Sequence, residues 1–319
     1  MHANLYDLII IGGGICGFSA AMYAGRLGLK TLVLEGKIPG GTIITTDIVE
    51  NWPGIKRISG EDLALQVIEH AKEYEIETRD GWVSKVRLGG EEGCFTVITE
   101  DDSFEGRTII FATGAEHRKH PAKGAKKLEN RGIHYCALCD GPLYTGREIA
   151  VIGGGDSAAK EAILLSKYAS RVHLLVKGEM LRAEPVNSKR VYDNKKISVH
   201  TGVSVAQARG ERKLESLVLE TKSGEVEELT VDAAFVAIGI IPRSEVAVSL
   251  GVTVNRRKEI VIDRASQTNI PGVFACGDVT DTRFKQAITG AGEAVTAAYW
   301  AYTHVTSGDF VCPHGEEKP

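Results

Sequence analysis

This sequence has no surplus of positive charge: 38 Lys and Arg stand against 42 Asp and Glu, for a net charge of −4. That argues against a general nucleic-acid binder, which carries a basic excess. Aromatic residues are sparse at 6% and offer few stacking platforms for single strands. Long apolar runs are missing as well. Leu8–Ile11, Thr108–Ala112 and Ala234–Ile241 are strand-sized, far short of the ~20 residues of a membrane-spanning helix. The first residues lack the basic start, apolar stretch and cleavage site of a secretory signal. The 6 cysteines in 319 residues make no secreted disulfide framework. A protein of the cytoplasm is therefore expected, with no membrane and no nucleic acid among its partners. In that setting a CxxC reads as redox or metal chemistry. The basic run Arg118, Lys119, Lys123, Lys126 and Lys127 reads as a solvated face.

Glycine, by contrast, is abundant. It fills 36 of 319 positions, about 11% against a typical ~7%. The excess is clustered. Residues 5–11 form an apolar run suited to a strand buried on both faces of a parallel sheet. Gly12, Gly13 and Gly14 follow, then a predicted helix over 16–28 and a second strand over 30–35. The pattern returns as a strand over 147–152, Gly153 to Gly155, a helix over 157–168 and a strand over 171–176. Two βαβ units so far apart imply two nucleotide-binding domains. Near the end, residues 270–279 read as a short buried strand closing on Gly277-Asp278, followed by a Gly/Ala-rich helix from about Gln286 to Val305. This piece has no glycine fingerprint of its own, so it is expected to complete the first domain. The fold class is therefore α/β, with two Rossmann-like three-layer domains. The first spans 1–116 and 245–319, and the second, 117–244, is inserted within it.

The first fingerprint is Gly12-x-Gly14-x-x-Gly17, with Glu35 at the end of the next strand. Gly12 permits the tight turn, Gly14 a close approach to a pyrophosphate, and Gly17 close packing of the helix on the sheet. The helix N-terminus offers unpaired N–H groups to phosphate, and Glu35 can accept from ribose hydroxyls. The second is Gly153-x-Gly155-x-x-Ala158. Its second strand ends at Val176 with no acid, and Lys177, Gly178 and Arg182 follow. An acid there favours the 2′-hydroxyl of NADH and cations favour the 2′-phosphate of NADPH. A Rossmann-like domain that binds no nicotinamide stays open at this stage.

The most informative stretch is Cys136-Ala137-Leu138-Cys139-Asp140-Gly141. Two thiols at this spacing can close a small disulfide and often have lowered pKa values. A structural zinc site would need four ligands, typically two such pairs. There is no second pair; His134 is near, and Cys16, Cys94, Cys276 and Cys312 are single and scattered. Zinc and two inert buried cysteines remain the alternatives. Asp140 is placed to shuttle a proton as the dithiol forms or reopens. Cys16 and Cys276 read as small packing residues.

Together these stretches carry a resemblance. Gly12–Gly17, Gly40-Gly41-Thr42, Glu50 to Gly54, Ala112 to Ala115, Cys136–Gly141, Gly153–Ala158, Gly277-Asp278 and Arg283 with Gln286-Ala287 occur in the order and spacing of low-molecular-weight thioredoxin reductases. The chain resembles that family over almost its full length. The resemblance implies FAD on the first and last segments, held by Gly12, Gly14, Gly17, Glu35, Gly41, Asn51, Thr113, Gly114 and Asp278, with Gln286 and Ala287 beside the flavin ring. It implies a homodimer, thioredoxin or a thioredoxin-like protein as partner, and rotation of the inserted domain about hinges near 114–117 and 242–245. It assigns Cys139 to face the flavin, Cys136 to attack the partner disulfide, and Asp140 to acid/base work.

One departure bears on the electron donor. NADPH-using members carry His-Arg-Arg-x-x-x-Arg after the second domain's second strand, where this chain has Val176, Lys177, Gly178 and Arg182. Lysine lacks the bidentate fork that arginine offers a phosphate. A weakened preference for NADPH is therefore expected at Gly153, Gly155, Ala158, Lys177 and Arg182. The donor is left open between loosely bound NADPH, NADH, a reduced deazaflavin and ferredoxin. A dithiol oxidase and a flavin redox sensor without turnover are the rival readings.

Overall fold

The computed structural model of the chain describes residues 5–46, 48–89 and 95–307. The chain divides into two compact units, Met1–Glu116 with Ile241–Pro319, and His117–Ile240. The return to the first unit thus falls a few residues before the expected 244/245.

In the first unit, β1 (Leu5–Ile11), α1 (Ile15–Arg26) and β2 (Thr31–Glu35) form the first βαβ. Then come α2 (Gly60–Lys72), β3 (Ile76–Asp80), β4 (Lys85–Leu88), β5 (Phe95–Ile98) and the long β6 (Ser103–Phe111). The order β3-β2-β1-β6 is parallel, with Ile9 opposite Leu32 on one side and Ile109 on the other. Strand β6 is shared. Its first half pairs antiparallel with β5, which pairs with β4.

Short β7 (Ala115–His117) leads into the second unit. It contains β8 (Ile133–His134), α3 (Ala137–Asp140), β9 (Glu148–Ile152), α4 (Asp156–Leu165), β10 (Arg171–Val176) and α5 (Pro185–Asp193). These are followed by β11 (Ile197–Thr201), β12 (Val203–Arg209), β13 (Ser216–Thr221), β14 (Val226–Thr230) and β15 (Ala233–Val236). A parallel sheet runs β11-β10-β9-β15-β8, and β12-β13-β14 form a separate antiparallel sheet. The chain returns through β16 (Ile240–Pro242), which pairs with β7. It ends its described course with α6 (Glu245–Ser249), β17 (Val273–Ala275) and α7 (Ala287–Thr306). Strand β17 pairs parallel with the second half of β6, so the late segment does complete the first sheet.

Side chains alternate across a strand, and the core of the first unit follows that period of two. Ile9, Ile11, Leu32, Leu34, Ile109 and Phe111 pack on one face with Phe95, Phe104 and Ile260. Leu8, Ile10, Val33 and Ile110 pack on the other face. There they meet two small-residue stripes, Ala20, Ala21 and Ala24 of α1 and Ala294, Ala297, Ala298 and Ala301 of α7. Each aliphatic side chain fully buried here contributes about 1.5–3 kcal/mol. Alanine and glycine on the helix faces let the backbones lie close, which fixes the helix starts against the strand ends. No helix among the described residues is long and apolar enough to cross a membrane.

Candidate functional site

In a parallel sheet the strand ends and helix starts meet at one edge, where ligands bind. Gly12 leaves β1 at φ +109°, and a Cβ there would lie 2.3 Å from Ala112 O. A Cβ on Gly17 would lie 1.9 Å from Gly12 O, so only glycine lets α1 settle on this turn. Gly14 differs. Its nearest neighbour for a Cβ, Gly41 Cα, is 3.7 Å away, so its lack of a side chain keeps a surface open rather than relieving a clash. Glu35 ends β2 with Oε2 accepting from Gly13 N at 2.6 Å and Oε1 accepting from Lys37 N at 2.7 Å. Beside it a cavity of 430 Å³ is lined by Glu35, Lys37, Asp80, Trp82 and Thr99.

The other residues expected at this edge arrive from distant segments. Asn51 Nδ2 donates to Gln286 Oε1 at 2.9 Å, across 235 residues of sequence. Gln286 and Ala287 form the start of α7. Thr113 Oγ1 donates to Arg243 O at 2.6 Å, and Gly114 follows at φ +62° with open space where a Cβ would be. Asp278 sits in the helical turn Gly277–Val279 that follows β17. Burial pushes its carboxyl up, with Lys285 opposing the shift and Glu293 adding to it. Cys16 and Cys276 are free thiols, and Cys16 packs against the core around Cys276. Cys94 and Cys312 lie outside the described residues.

Two residues of this edge were not legible in advance. Lys285 pairs with Glu259 at 3.2 Å and donates to Asp278 O at 3.1 Å and to Thr280 O. Glu293 accepts from Gly277 N at 2.8 Å, from Thr280 Oγ1 at 3.3 Å and from Thr282. Together they pin the loop that carries Asp278. Only the Gly277-Asp278 pair hinted at a loop needing such support.

The second fingerprint repeats the geometry within its own unit. A Cβ on Gly153 would lie 2.3 Å from Ala237 O, and Ala158 packs against the same turn. Gly155 is open, with nothing within 4 Å of a Cβ. Arg182 N donates to Gly154 O at 2.8 Å, so Arg182 lies alongside the glycines, and both it and Lys177 are exposed. Val176 is buried. Asp156 opens α4 and is engaged by Glu184 N, Asn187 Nδ2 and Lys160.

Glu161, on the same helix, has a partly exposed stem, but its Oε2 is sealed from solvent without a hydrogen-bond partner. Burial pushes its carboxyl up to about 8. The folded state therefore holds this proton where the unfolded chain has lost it, and stability falls as pH rises from the ordinary carboxyl range to about 8. Glu161→Gln is expected to match the native chain near pH 5 and to exceed it by about 2–4 kcal/mol near pH 8. Urea unfolding at the two pH values checks this; equal gains at both would contradict it.

The CxxC lies between β8 and α4. Cys136 and Cys139 are joined in a disulfide, with Cα atoms 5.4 Å apart. Cys136 caps α3, its Sγ accepting from Cys139 N at 3.1 Å. A Cβ on Gly141 would lie 2.8 Å from Leu165 Cδ2, so the small residue lets the motif sit close on α4. Asp140 closes α3, and its side chain keeps 30% exposure. Oxidised, the motif is a closed two-electron store beside an acid.

The sequence pattern of the family described as pyridine nucleotide-disulphide oxidoreductase matches residues 6–294. A thioredoxin reductase from Listeria innocua is 37% identical over 304 residues, covering 95% of this chain and 94% of the relative. The structure of Lactococcus lactis thioredoxin reductase is similar at TM-score 0.91 and 37% identity, covering 94% of this chain and 99% of that one. That of T. acidophilum thioredoxin reductase is similar at TM-score 0.91 and 31% identity, covering 95% and 100%. The glycine turns at two sheet edges, the disulfide between them in sequence and these likenesses lead to one conclusion: the chain belongs to the pyridine nucleotide-disulphide oxidoreductase family, in its thioredoxin reductase branch.

Proposed function

We propose that the chain holds FAD on its first unit and passes electrons through the Cys136–Cys139 disulfide to thioredoxin or a thioredoxin-like protein. The observation that carries this reading is the disulfide itself, formed at a helix cap next to an acid. The first unit fits FAD. The open face at Gly14 and the start of α1 suit the pyrophosphate, Glu35 the ribose, and the cavity beside Trp82 the adenine. Thr113, Gly114, Asn51, Gln286, Ala287 and Asp278 would hold the rest. Bound FAD, once reduced by the donor, would supply an electron pair at a potential low enough to open a disulfide.

The chain's own residues then set the direction. Opening at Cys139 expels Cys136 as a thiolate, which the N–H of Cys139 stabilises. That thiolate is the nucleophile for a partner disulfide, while Asp140 moves the proton. Thioredoxin lies near about −270 mV, and each ~30 mV is about 1.4 kcal/mol for two electrons, so any donor of lower potential can drive the step. By the family resemblance the working form is a homodimer of the cytoplasm.

The second unit, through Gly153, Gly155, Ala158, Lys177 and Arg182, accepts a nicotinamide cofactor with little preference for NADPH. Each missing charged contact to the 2′-phosphate weakens binding by about 1.5–3 kcal/mol, roughly 10- to 150-fold. Anaerobic titration of the yellow protein with NADPH, NADH, reduced deazaflavin and reduced ferredoxin tests donor and function together. Bleaching by one of them and recolouring by oxidised thioredoxin is the expected result, with NADPH acting only well above the low micromolar range. A normal low-micromolar NADPH response contradicts the donor reading, and bleached protein that thioredoxin fails to recolour contradicts the function.

A further inference from the structure

A histidine behind the disulfide is left without a task by this mechanism. His134 is only 4% exposed. Its ring stacks on Phe235, its register partner across the parallel β8–β15 pair, with centroids 5.4 Å apart and planes at 27°. Tyr144 stands edge-on to both rings. In such an apolar cage a histidine usually serves only to fill the core with both nitrogens satisfied. Here the two nitrogens are treated differently. Nε2 is 2.8 Å from Tyr144 OH. Nδ1 is 3.1 Å from Asp140 Oδ2, too oblique for a straight hydrogen bond, and no other partner reaches it among the described residues. The one group facing Nδ1 is thus the acid next to Cys139.

We propose that His134 is a positioning residue of the redox centre, orienting the Asp140 carboxylate and holding the proton that Asp140 passes to sulfur. The proposal rests on the Cys136–Cys139 pair being the redox centre. The titratable groups around the imidazole are Asp140 from α3 and Tyr144 from the turn after it. Asp232, just before β15, acts on the phenol. Burial first, then the charges of Asp140 and Asp232, push the Tyr144 phenol up, so it stays a neutral partner. The step requires the ring to carry both protons, Nδ1–H toward Asp140 and Nε2–H on the Tyr144 oxygen. Two electrons from a reduced flavin or an attacking dithiol break the S–S bond. One sulfur leaves as a thiolate, and the other takes one proton, relayed from Nδ1 through Asp140. The imidazole ends neutral and keeps its Nε2 proton on Tyr144, which is why the Nδ1 proton is the one released.

The test needs no knowledge of the natural donor. The FAD-loaded, oxidised full chain is opened with dithiothreitol from about pH 6 to about pH 9, a range that brackets imidazole and thiol. The new thiols are trapped with iodoacetamide and counted by mass. His134→Asn, which can hydrogen-bond but cannot carry the proton, is expected to open about ten- to a hundredfold more slowly near neutral pH. Its opening rate should also depend on pH differently from the native rate. Tyr144→Phe removes the oxygen that holds Nε2 and should likewise slow opening and change its dependence on pH. A native rate and profile in His134→Asn overturns the proposal. Should that variant not fold, a native rate and profile in Tyr144→Phe does the same. Failure of the underlying reading shows elsewhere, as disulfide-reductase turnover that survives loss of Cys136 or Cys139.

Discussion

Cys136→Ser and Cys139→Ser are each expected to lower disulfide reduction by at least about a thousandfold while the protein stays yellow. The transfer needs an S–S bond that opens and recloses, and one sulfur cannot do either. The fold should tolerate the change. The bond closes a loop with a sequence separation of only 3, and loops that short contribute at most about 2 kcal/mol. Serine at 136 can also accept from Cys139 N in place of Sγ, which preserves the cap of α3. The residues proposed to hold FAD lie in the other unit and are all kept. Turnover with oxidised thioredoxin, beside the flavin absorbance of each variant, is the measurement. Retained turnover in either variant ends the mechanism, and loss of flavin from both would mean that the cysteines serve structure instead.

Gly17→Ala should empty the first unit of FAD. Its Cβ would lie 1.9 Å from Gly12 O, a contact with rigid backbone that no rotamer relieves. Helix α1 must then move off β1. Overpacking of this kind costs about 1–3 kcal/mol and occasionally more. The displaced helix also loses its aim at the pyrophosphate, so flavin content should fall at least about tenfold. Gly14→Ala separates the two effects. Its Cβ has 3.7 Å of clearance, so unfolding should follow the native chain while the methyl blocks the approach of phosphate and FAD affinity drops. Flavin absorbance per protein, with a denaturant curve for each variant, tells them apart. A yellow, native-stable Gly17→Ala protein would contradict the packing account, and full FAD affinity in Gly14→Ala would contradict the assignment of this edge to FAD.

Where function was legible in the sequence, it was because a local rule demanded a residue type. Buried parallel strands announce themselves as unbroken apolar runs, as in Leu5–Ile11. Glycines at Gly12, Gly17 and Gly153 are required by contacts that turn geometry dictates. The antiparallel pieces were not seen. Strand β14 is Val-Glu-Glu-Leu-Thr and mostly exposed, so it carries no hydrophobic alternation to read. Helix α2 was also unassigned, although Ser59 caps it by accepting from Asp62 N. Side-chain networks closed over long separations were invisible for another reason. The Lys285–Glu259 pair and Glu293 on Gly277 N exist only once α7 docks on the sheet. His134 stood in the sequence as a possible zinc neighbour of the CxxC. Only the pairing of β8 with β15 turns its ring toward Phe235 and its Nδ1 toward Asp140.

The most direct test counts where the electrons go. The yellow protein is reduced anaerobically with successive equivalents of an effective donor, quenched with iodoacetamide and mapped by peptide mass. Two labels per chain on the peptide bearing Cys136 and Cys139, rising with the donor and erased by oxidised thioredoxin, are expected. A fully bleached flavin with those two cysteines still bonded to each other would contradict the account.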